Sequence, residues 1–389
     1  MKQYDVVIVG AGVVGSTLAL SLAQQGLTVA LVDQKKTLST QANPAVGQVS
    51  AINQDSKQWF EDLGIWPQIN AYQPGYYQFM QVWEDSGQIA FDSSMTEHDP
   101  LGYIVANNWI LHALGEAILQ HRQIAYLPDQ QPAMLHHMAD SRVLTLEGGQ
   151  HLRASLVIGA DGGNSWVRQQ QQFGVVTASY GQTAIVGQVA TSKPHFNTAW
   201  QRFLPTGPLA FLPMSDQHQC SIVWSCDKQF AAHLLSLNSQ GFTQELSQVS
   251  QYCLGELELL TERKSFPLVM RHARQYVKPR VALVGDAIHT IHPLAGLGLN
   301  LGLKDAHCLS ECITQAYQNQ QDIGESRCLQ RYQRERLQAN LAIIATMQGF
   351  KSLFGNQQGW LKALRNWGLK QTDRYALLKR FIISRANHL

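Results

Sequence analysis

A chain of 389 residues can bury a sizeable core and form two domains, or one large fold with a second region inserted in it. Apolar residues make up 45% and charged residues 15%, a balance that excludes a disordered or nucleic-acid-coating chain, and a net charge of +2 implies no polyanionic partner. The six cysteines, Cys220, Cys226, Cys253, Cys308, Cys312 and Cys328, lack C-x-x-C spacing and read as reduced, unbridged thiols with no metal among them.

Tyr4 to Val9 is a β-branched run, the stretch up to Gln25 reads as a helix, and Thr28 to Asp33 reads as a second strand. The uncharged stretch from Val6 to Ala23 has the length of a membrane anchor, but Asp5 stands where basic residues should and three glycines interrupt it. It is read as part of a βαβ unit, with the protein expected in the cytoplasm. Gly10, Gly12 and Gly15 form G-x-G-x-x-G at the strand-to-helix turn, and Asp33 ends the next strand. Gly10 permits the turn, Gly12 lets backbone approach a pyrophosphate, and Gly15 lets helix and strand pack closely. Asp33 can accept hydrogen bonds from a free ribose 2′-hydroxyl, as in FAD or NAD, and this motif does not separate the two.

Further along, two stretches near 72–99 and 181–267 alternate aromatic or β-branched residues with polar ones, as in Gln78 to Trp83 and Cys220 to Trp224. They read as antiparallel strands of a sheet-rich region covering the active site. Trp83, Trp200, Phe211 and Trp224 are candidates for a greasy site wall, with ordinary core packing the commoner use of such residues. A buried strand at Ala154 to Ala160 leads into Asp161-Gly162-Gly163-Asn164-Ser165, with Val167 and Arg168 close behind. Another at Arg280 to Gly285 leads into Asp286, a second glycine-rich turn and a helix from Gly298 to Tyr317. His289 and His292 lack a third ligand at sensible spacing, so they are read as flanking this turn and not as a metal site. His272 is a candidate acid or base, weighed against structural hydrogen bonding. Residues 351–389 carry eight lysines and arginines against Asp373, with apolar residues at helical spacing, a pattern that suits an anionic bilayer, a partner, or packing on the chain's own domain.

The three elements, in this order and at these separations, resemble the para-hydroxybenzoate hydroxylase type of flavoprotein monooxygenase. Phe266-Pro267-Leu268, Arg271-His272-Ala273, Tyr276-Val277 and the run from Leu283 to Asp305 resemble the ubiquinone-biosynthesis hydroxylases more closely. Trp200-Gln201 and the run from Gly207 to Pro213 point to the branch acting on a 3-methyl-6-methoxy-1,4-benzoquinol. The resemblance implies an α/β fold in which a Rossmann-like FAD-binding domain (1–71, 100–180 and 268–350) is interleaved with a β-sheet-rich substrate domain (72–99 and 181–267), followed by C-terminal helices (351–389). It implies that Gly10, Gly12, Gly15 and Asp33 bind the ADP half of FAD, that Asp286 binds the ribitol, and that Asp161 serves FAD and nicotinamide nucleotide. Gly296, Gly298 and Asn300 would lie beside the isoalloxazine ring, whose reduced N1 edge a helix N-terminus favours.

The implied reaction is hydroxylation of a polyprenylated quinol: NADPH or NADH reduces FAD, O₂ adds at C4a, and the hydroperoxide delivers oxygen to the ring. The single G-x-G-x-x-G, taken by FAD, implies transient binding of the nicotinamide nucleotide. A polyprenyl substrate favours the membrane surface, or a biosynthetic complex, as the partner of 351–389. Leu297 stands where the family commonly has Gln, Gln48 where it has a flavin-facing arginine, and Ala106 where it has an acid. These departures bear on contacts near the ring and the ribityl chain. A flavin hydroxylase or epoxidase of another small aromatic, and a non-catalytic dinucleotide-fold escort protein, stand as alternatives.

Overall fold

The computed structural model describes residues 2–36, 47–84, 87–95, 99–290 and 298–355. Its first sheet has eight strands. Five run parallel in the spatial order Val281–Leu283, His151–Gly159, Lys2–Val9, Val29–Val32 and Ile124–Leu127. Strands of this kind are covered on both faces, which is why Val6 to Val9, Val29 to Val32 and Leu156 to Ile158 are unbroken apolar runs and are fully buried. Val277–Lys278 pairs antiparallel at one edge, and the hairpin Pro132–His137 and Arg142–Leu146 extends from His151–Gly159.

The uncharged stretch near the start forms a strand, a tight turn and the helix Val13–Gln24. That helix packs against Asn107–Gln120 and the long helix Gly298–Gln318, and the latter in turn against Ser326–Gly355. Among the described residues no helix is long and apolar enough to cross a membrane.

The second sheet has nine strands, built around the 17-residue strand Val175–Thr191. The alternating stretches noted in the sequence lie here, in Phe79–Glu84 and Gln219–Asp227. Alternation sends side chains to opposite faces. Leu209, Phe211, Ile222 and Trp224 on one face pack on helices Lys228–Ser236 and Ser239–Val249. Trp83 and Trp200 meet edge to face at 5.9 Å on the same side. The four aromatics considered as a site wall therefore belong to the outer core of this sheet. Its inner face, through Leu212 and Val223, packs on Ala51 and Ile104.

Ala51 and Ile104 lie in a three-stranded wedge, Val49–Ile52, Gly102–Ala106 and Gly75–Tyr77, between the two large sheets. Gly75 is needed at that join: a Cβ there would fall 2.2 Å from the Pro213 carbonyl oxygen. The result is an α/β fold with a parallel nucleotide-type sheet facing a second sheet that is antiparallel except where Phe79–Glu84 pairs parallel with Thr198–Leu204, a departure from the antiparallel pairing expected of these stretches.

Candidate functional site

Gly10, Asp161 and Gly285 follow the carboxyl ends of three adjacent parallel strands, with Val9 opposite Gly159 and Gly159 opposite Leu283. Asp33 follows the next strand, where Val9 faces Val32. The crevice outside such strand ends is where open α/β sheets take their ligands.

The glycines divide by what surrounds them. Gly10 has φ +106, and a Cβ there would meet the Ala160 carbonyl oxygen at 2.4 Å. At Gly15 it would meet the Gly10 carbonyl oxygen at 2.0 Å. Both are required by the chain's own packing. Gly12 is not, since a Cβ there would have no atom within 4 Å. Gly12 is also the N-cap of helix Val13–Gln24, with no side-chain cap and no acidic residue in the first turn. Space beside uncapped N–H groups at a positive helix end fits a pyrophosphate.

Asp33 is aimed into this turn: its Oδ2 accepts the Ala11 N–H at 2.5 Å and its Oδ1 accepts the Lys35 N–H at 2.7 Å. Each oxygen keeps a further lone pair for ribose hydroxyls. Asp161 accepts the Val167 N–H at 3.0 Å through Oδ2, while its buried Oδ1 has no partner among the described residues. Desolvation raises its pKa. Asp286, in the turn Gly285–Ala287, has an exposed side chain but is crowded by the buried Gly285, Ala287 and Ile288. Desolvation raises its pKa too, with His289 opposing and Asp305 adding to the effect. The buried Thr290 hydroxyl also has no partner among the described residues. Orphaned polar atoms around open space are what a bound dinucleotide would satisfy, so the residues present fit FAD.

Arg168 holds two of these loops together. Buried, it donates through Nη2 to the Gly163 carbonyl at 2.7 Å and through Nη1 to the Ala287 carbonyl at 2.9 Å. Gly285 and Gly302 both press on Val14, where a Cβ would sit 3.3 and 3.0 Å from its methyl carbons. The third loop is thus seated on the first helix. Asn300 is buried, its Nδ2 donating to the Ala51 carbonyl at 2.7 Å and its Oδ1 accepting the Asn53 N–H at 3.1 Å, which ties the start of helix Gly298–Gln318 to the wedge. Gly298 borders open space. Gly296, Leu297 and His292 lie outside the described residues. Of the other two departures, Gln48 is exposed and Ala106 is the N-cap of Asn107–Gln120 without a side-chain bond.

Residues 3–346 match the FAD binding domain family. The chain is 35% identical to 3-demethoxyubiquinol 3-hydroxylase of Escherichia coli strain K12, over 97% of this chain and 96% of that one. It is 32% identical to the mitochondrial ubiquinone biosynthesis monooxygenase COQ6 of Homo sapiens, over 99% and 92%. The chain belongs to the FAD-dependent hydroxylases of ubiquinone biosynthesis. Two solved structures share its fold. PqsL, a probable FAD-dependent monooxygenase from Pseudomonas aeruginosa, has a TM-score of 0.79 at 22% identity, covering 95% of this chain and 100% of that one. The p-nitrophenol 4-monooxygenase PnpA from Pseudomonas putida DLL-E4 has 0.80 at 16%, covering 99% and 98%.

Beneath the third loop the hydroxylase buries a polar network that sequence reasoning missed. Asp305 Oδ2 accepts from His289 Nε2 at 2.6 Å, and its Oδ1 accepts from Arg336 Nε at 2.8 Å and Asn340 Nδ2 at 3.1 Å. Burial alone would raise the Asp305 pKa; His289 and Arg336 outweigh that and hold it below the usual carboxylate value. Asn340 Nδ2 also donates to the Tyr276 hydroxyl at 3.2 Å, and His272 Nε2 lies 2.8 Å from the same oxygen. Desolvation, reinforced by His289, lowers the His272 pKa, which favours the neutral imidazole. The signal that was available is the i, i+4 spacing of Arg336 and Asn340 on helix Ser326–Gly355, which by itself also describes a solvated face.

Proposed function

We propose that this hydroxylase inserts one oxygen atom into the aromatic ring of a polyprenylated benzoquinol precursor of ubiquinone, consuming O₂ and NADPH or NADH and releasing water. The observation that carries the reading is the convergence of the Gly10–Gly15 turn, Asp161 and Asp286 at adjacent strand ends, facing the antiparallel sheet across a narrow apolar wedge. The relatives' names, a 3-demethoxyubiquinol 3-hydroxylase and a ubiquinone biosynthesis monooxygenase, support the substrate class. Bound FAD supplies the redox chemistry that activates O₂ toward an electron-rich ring.

The chain's own residues supply position. The N-terminus of Val13–Gln24 holds the pyrophosphate, Asp33 the adenosine ribose, and Asp286 the ribitol. Gly298, at the start of its helix, would leave room for the ring, and a positive helix end there would favour its reduced form. Leu212 and Val223 close the far side with apolar surface and keep water from the reacting centre. The enzyme works in the cytoplasm, with the basic segment 351–389, mostly outside the described residues, resting on the anionic membrane that holds its substrate.

The test is complementation of strains blocked at each ring-hydroxylation step, with quinone intermediates weighed by mass spectrometry. Rescue of one step, with its intermediate gaining one oxygen, is expected; rescue of none removes the substrate assignment. Retention on anionic liposomes, lost on deleting 356–389, is expected of the membrane contact.

A further inference from the structure

Two elements are assigned above to the flavin half, the turn Gly285–Ala287 with Asp286 and the start of helix Gly298–Gln318. They meet through small residues: a Cβ at Gly302 of the helix would lie 3.2 Å from the Gly285 Cα. Such a contact sets how near the two elements lie but resists sliding little, because dispersion between smooth surfaces has no preferred direction. The directional tie is the hydrogen bond between His289 Nε2 and Asp305 Oδ2, 2.6 Å long, with the two side chains 1% and 0% exposed. A short bond between an imidazole and an ionised carboxylate constrains both distance and angle. His289 lies one turn beyond Asp286, and Asp305 lies on the helix that Gly298 and Asn300 begin.

The other clamps on this turn come from elsewhere. The Ala287 carbonyl accepts from Arg168 at 2.9 Å, the Ile288 carbonyl from the Ala273 N–H at 2.7 Å, and the Leu283 carbonyl from the Tyr332 hydroxyl at 2.8 Å. They seat the turn on a short helix, a strand and the helix Ser326–Gly355, and leave its register on Gly298–Gln318 to His289. Asp305 cannot swing away, since Arg336 and Asn340 hold its other oxygen. From Val281 to His289 only Asp286 is exposed, so the carboxylate is the part of this stretch offered to a ligand. A buried ionic pair adds little net stability over an apolar one, and its best-attested use is to fix register.

We infer that His289 is a positioning residue: through Asp305 it sets the register of the Asp286 turn on helix Gly298–Gln318, and so the place of the ribitol relative to the ring. This rests on the assignment of Asp286 to the ribitol proposed above. The full-length apoprotein is titrated with FAD, followed by quenching of flavin fluorescence, and separately with ADP, followed by calorimetry. His289→Leu is expected to weaken FAD binding roughly 10-fold, the lower end of what partners behind a ligand-holding group contribute at metal sites. ADP binding, which uses only the Gly10–Gly15 turn and Asp33, should not change. His289→Gln, whose amide nitrogen reaches where Nε2 stood, should recover part of the loss.

In an Asp286→Ala background the His289→Leu change should cost little more FAD affinity, because the group it positions has gone. Should His289→Leu not fold, His289→Asn, whose shorter amide stops short of Asp305, gives the same contrast against His289→Gln. Equal weakening of FAD and ADP would mean that His289 serves the fold at large and would overturn the inference. So would unchanged FAD binding in His289→Leu, or a full additional loss in the double variant; both leave the ribitol assignment standing. If Asp286→Ala alone binds FAD as the wild type does, the ribitol assignment falls and takes the inference with it.

Discussion

The two large sheets meet the same crevice in opposite ways. The parallel sheet comes to it with strand ends, where glycines, carboxylates and uncapped N–H groups crowd together and are pinned by Arg168 and Asp33. The second sheet comes with a face, through Leu212 and Val223, that packs apolar side chains on the wedge. The difference follows from the tasks. A dinucleotide is gripped by backbone geometry and dipoles, which demand particular residues at particular places. A neutral ring is seated by shape and the exclusion of water, which many apolar residues provide.

Asp305→Asn should produce the largest effect, because it strips the network beneath the parallel sheet of its charge and leaves Arg336 buried without a counterion. A loss of about 3–5 kcal/mol in urea unfolding is expected. The wild-type pH dependence has a fixed sign. Asp305 has a folded pKa below its unfolded one, so its contribution is complete above the unfolded value of about 4 and disappears as pH falls through the lower folded value. In the variant that acid-dependent component should vanish, and if both proteins lose stability alike on acidification the network is not the source.

Gly10→Ala comes next. Its Cβ collides with the Ala160 carbonyl at a φ that alanine avoids, so both folding and flavin content should fall, with about 1–3 kcal/mol lost by the apoprotein. Gly12→Ala sharpens the contrast. With no protein atom near its Cβ, apoprotein stability should stay within about 0.5 kcal/mol while the ratio of flavin to protein absorbance collapses. Equal losses of stability in the two alanine variants would mean that both glycines serve the fold alone. The smallest expected effect is on the other sheet: Val223→Ile, which adds one methylene to the inner face, should alter substrate turnover with flavin content unchanged and stability shifted by about 1 kcal/mol at most.

This contrast also governs what could be read from the sequence. The glycine turn, Asp33 and the three strands ending at Val9, Gly159 and Leu283 were legible, since positive φ and close approach leave few substitutes for glycine and parallel strands leave unbroken apolar runs. The alternating segments announced strands but not which face met the flavin side; Trp200 and Gln201 are neighbours in sequence and point to opposite sides of the sheet. The Asp305 network was illegible because its members come from the strands Lys264–Ala273 and His289–Thr290, the segment after the first of these, and two helices. No local spacing encodes a cluster assembled from segments so far apart.

The Arg168 bridge has a consequence for the outline of the cleft. One guanidinium fastens Gly163 to Ala287 using only groups of the chain, so a substitution at this single position would loosen two of the three loops together.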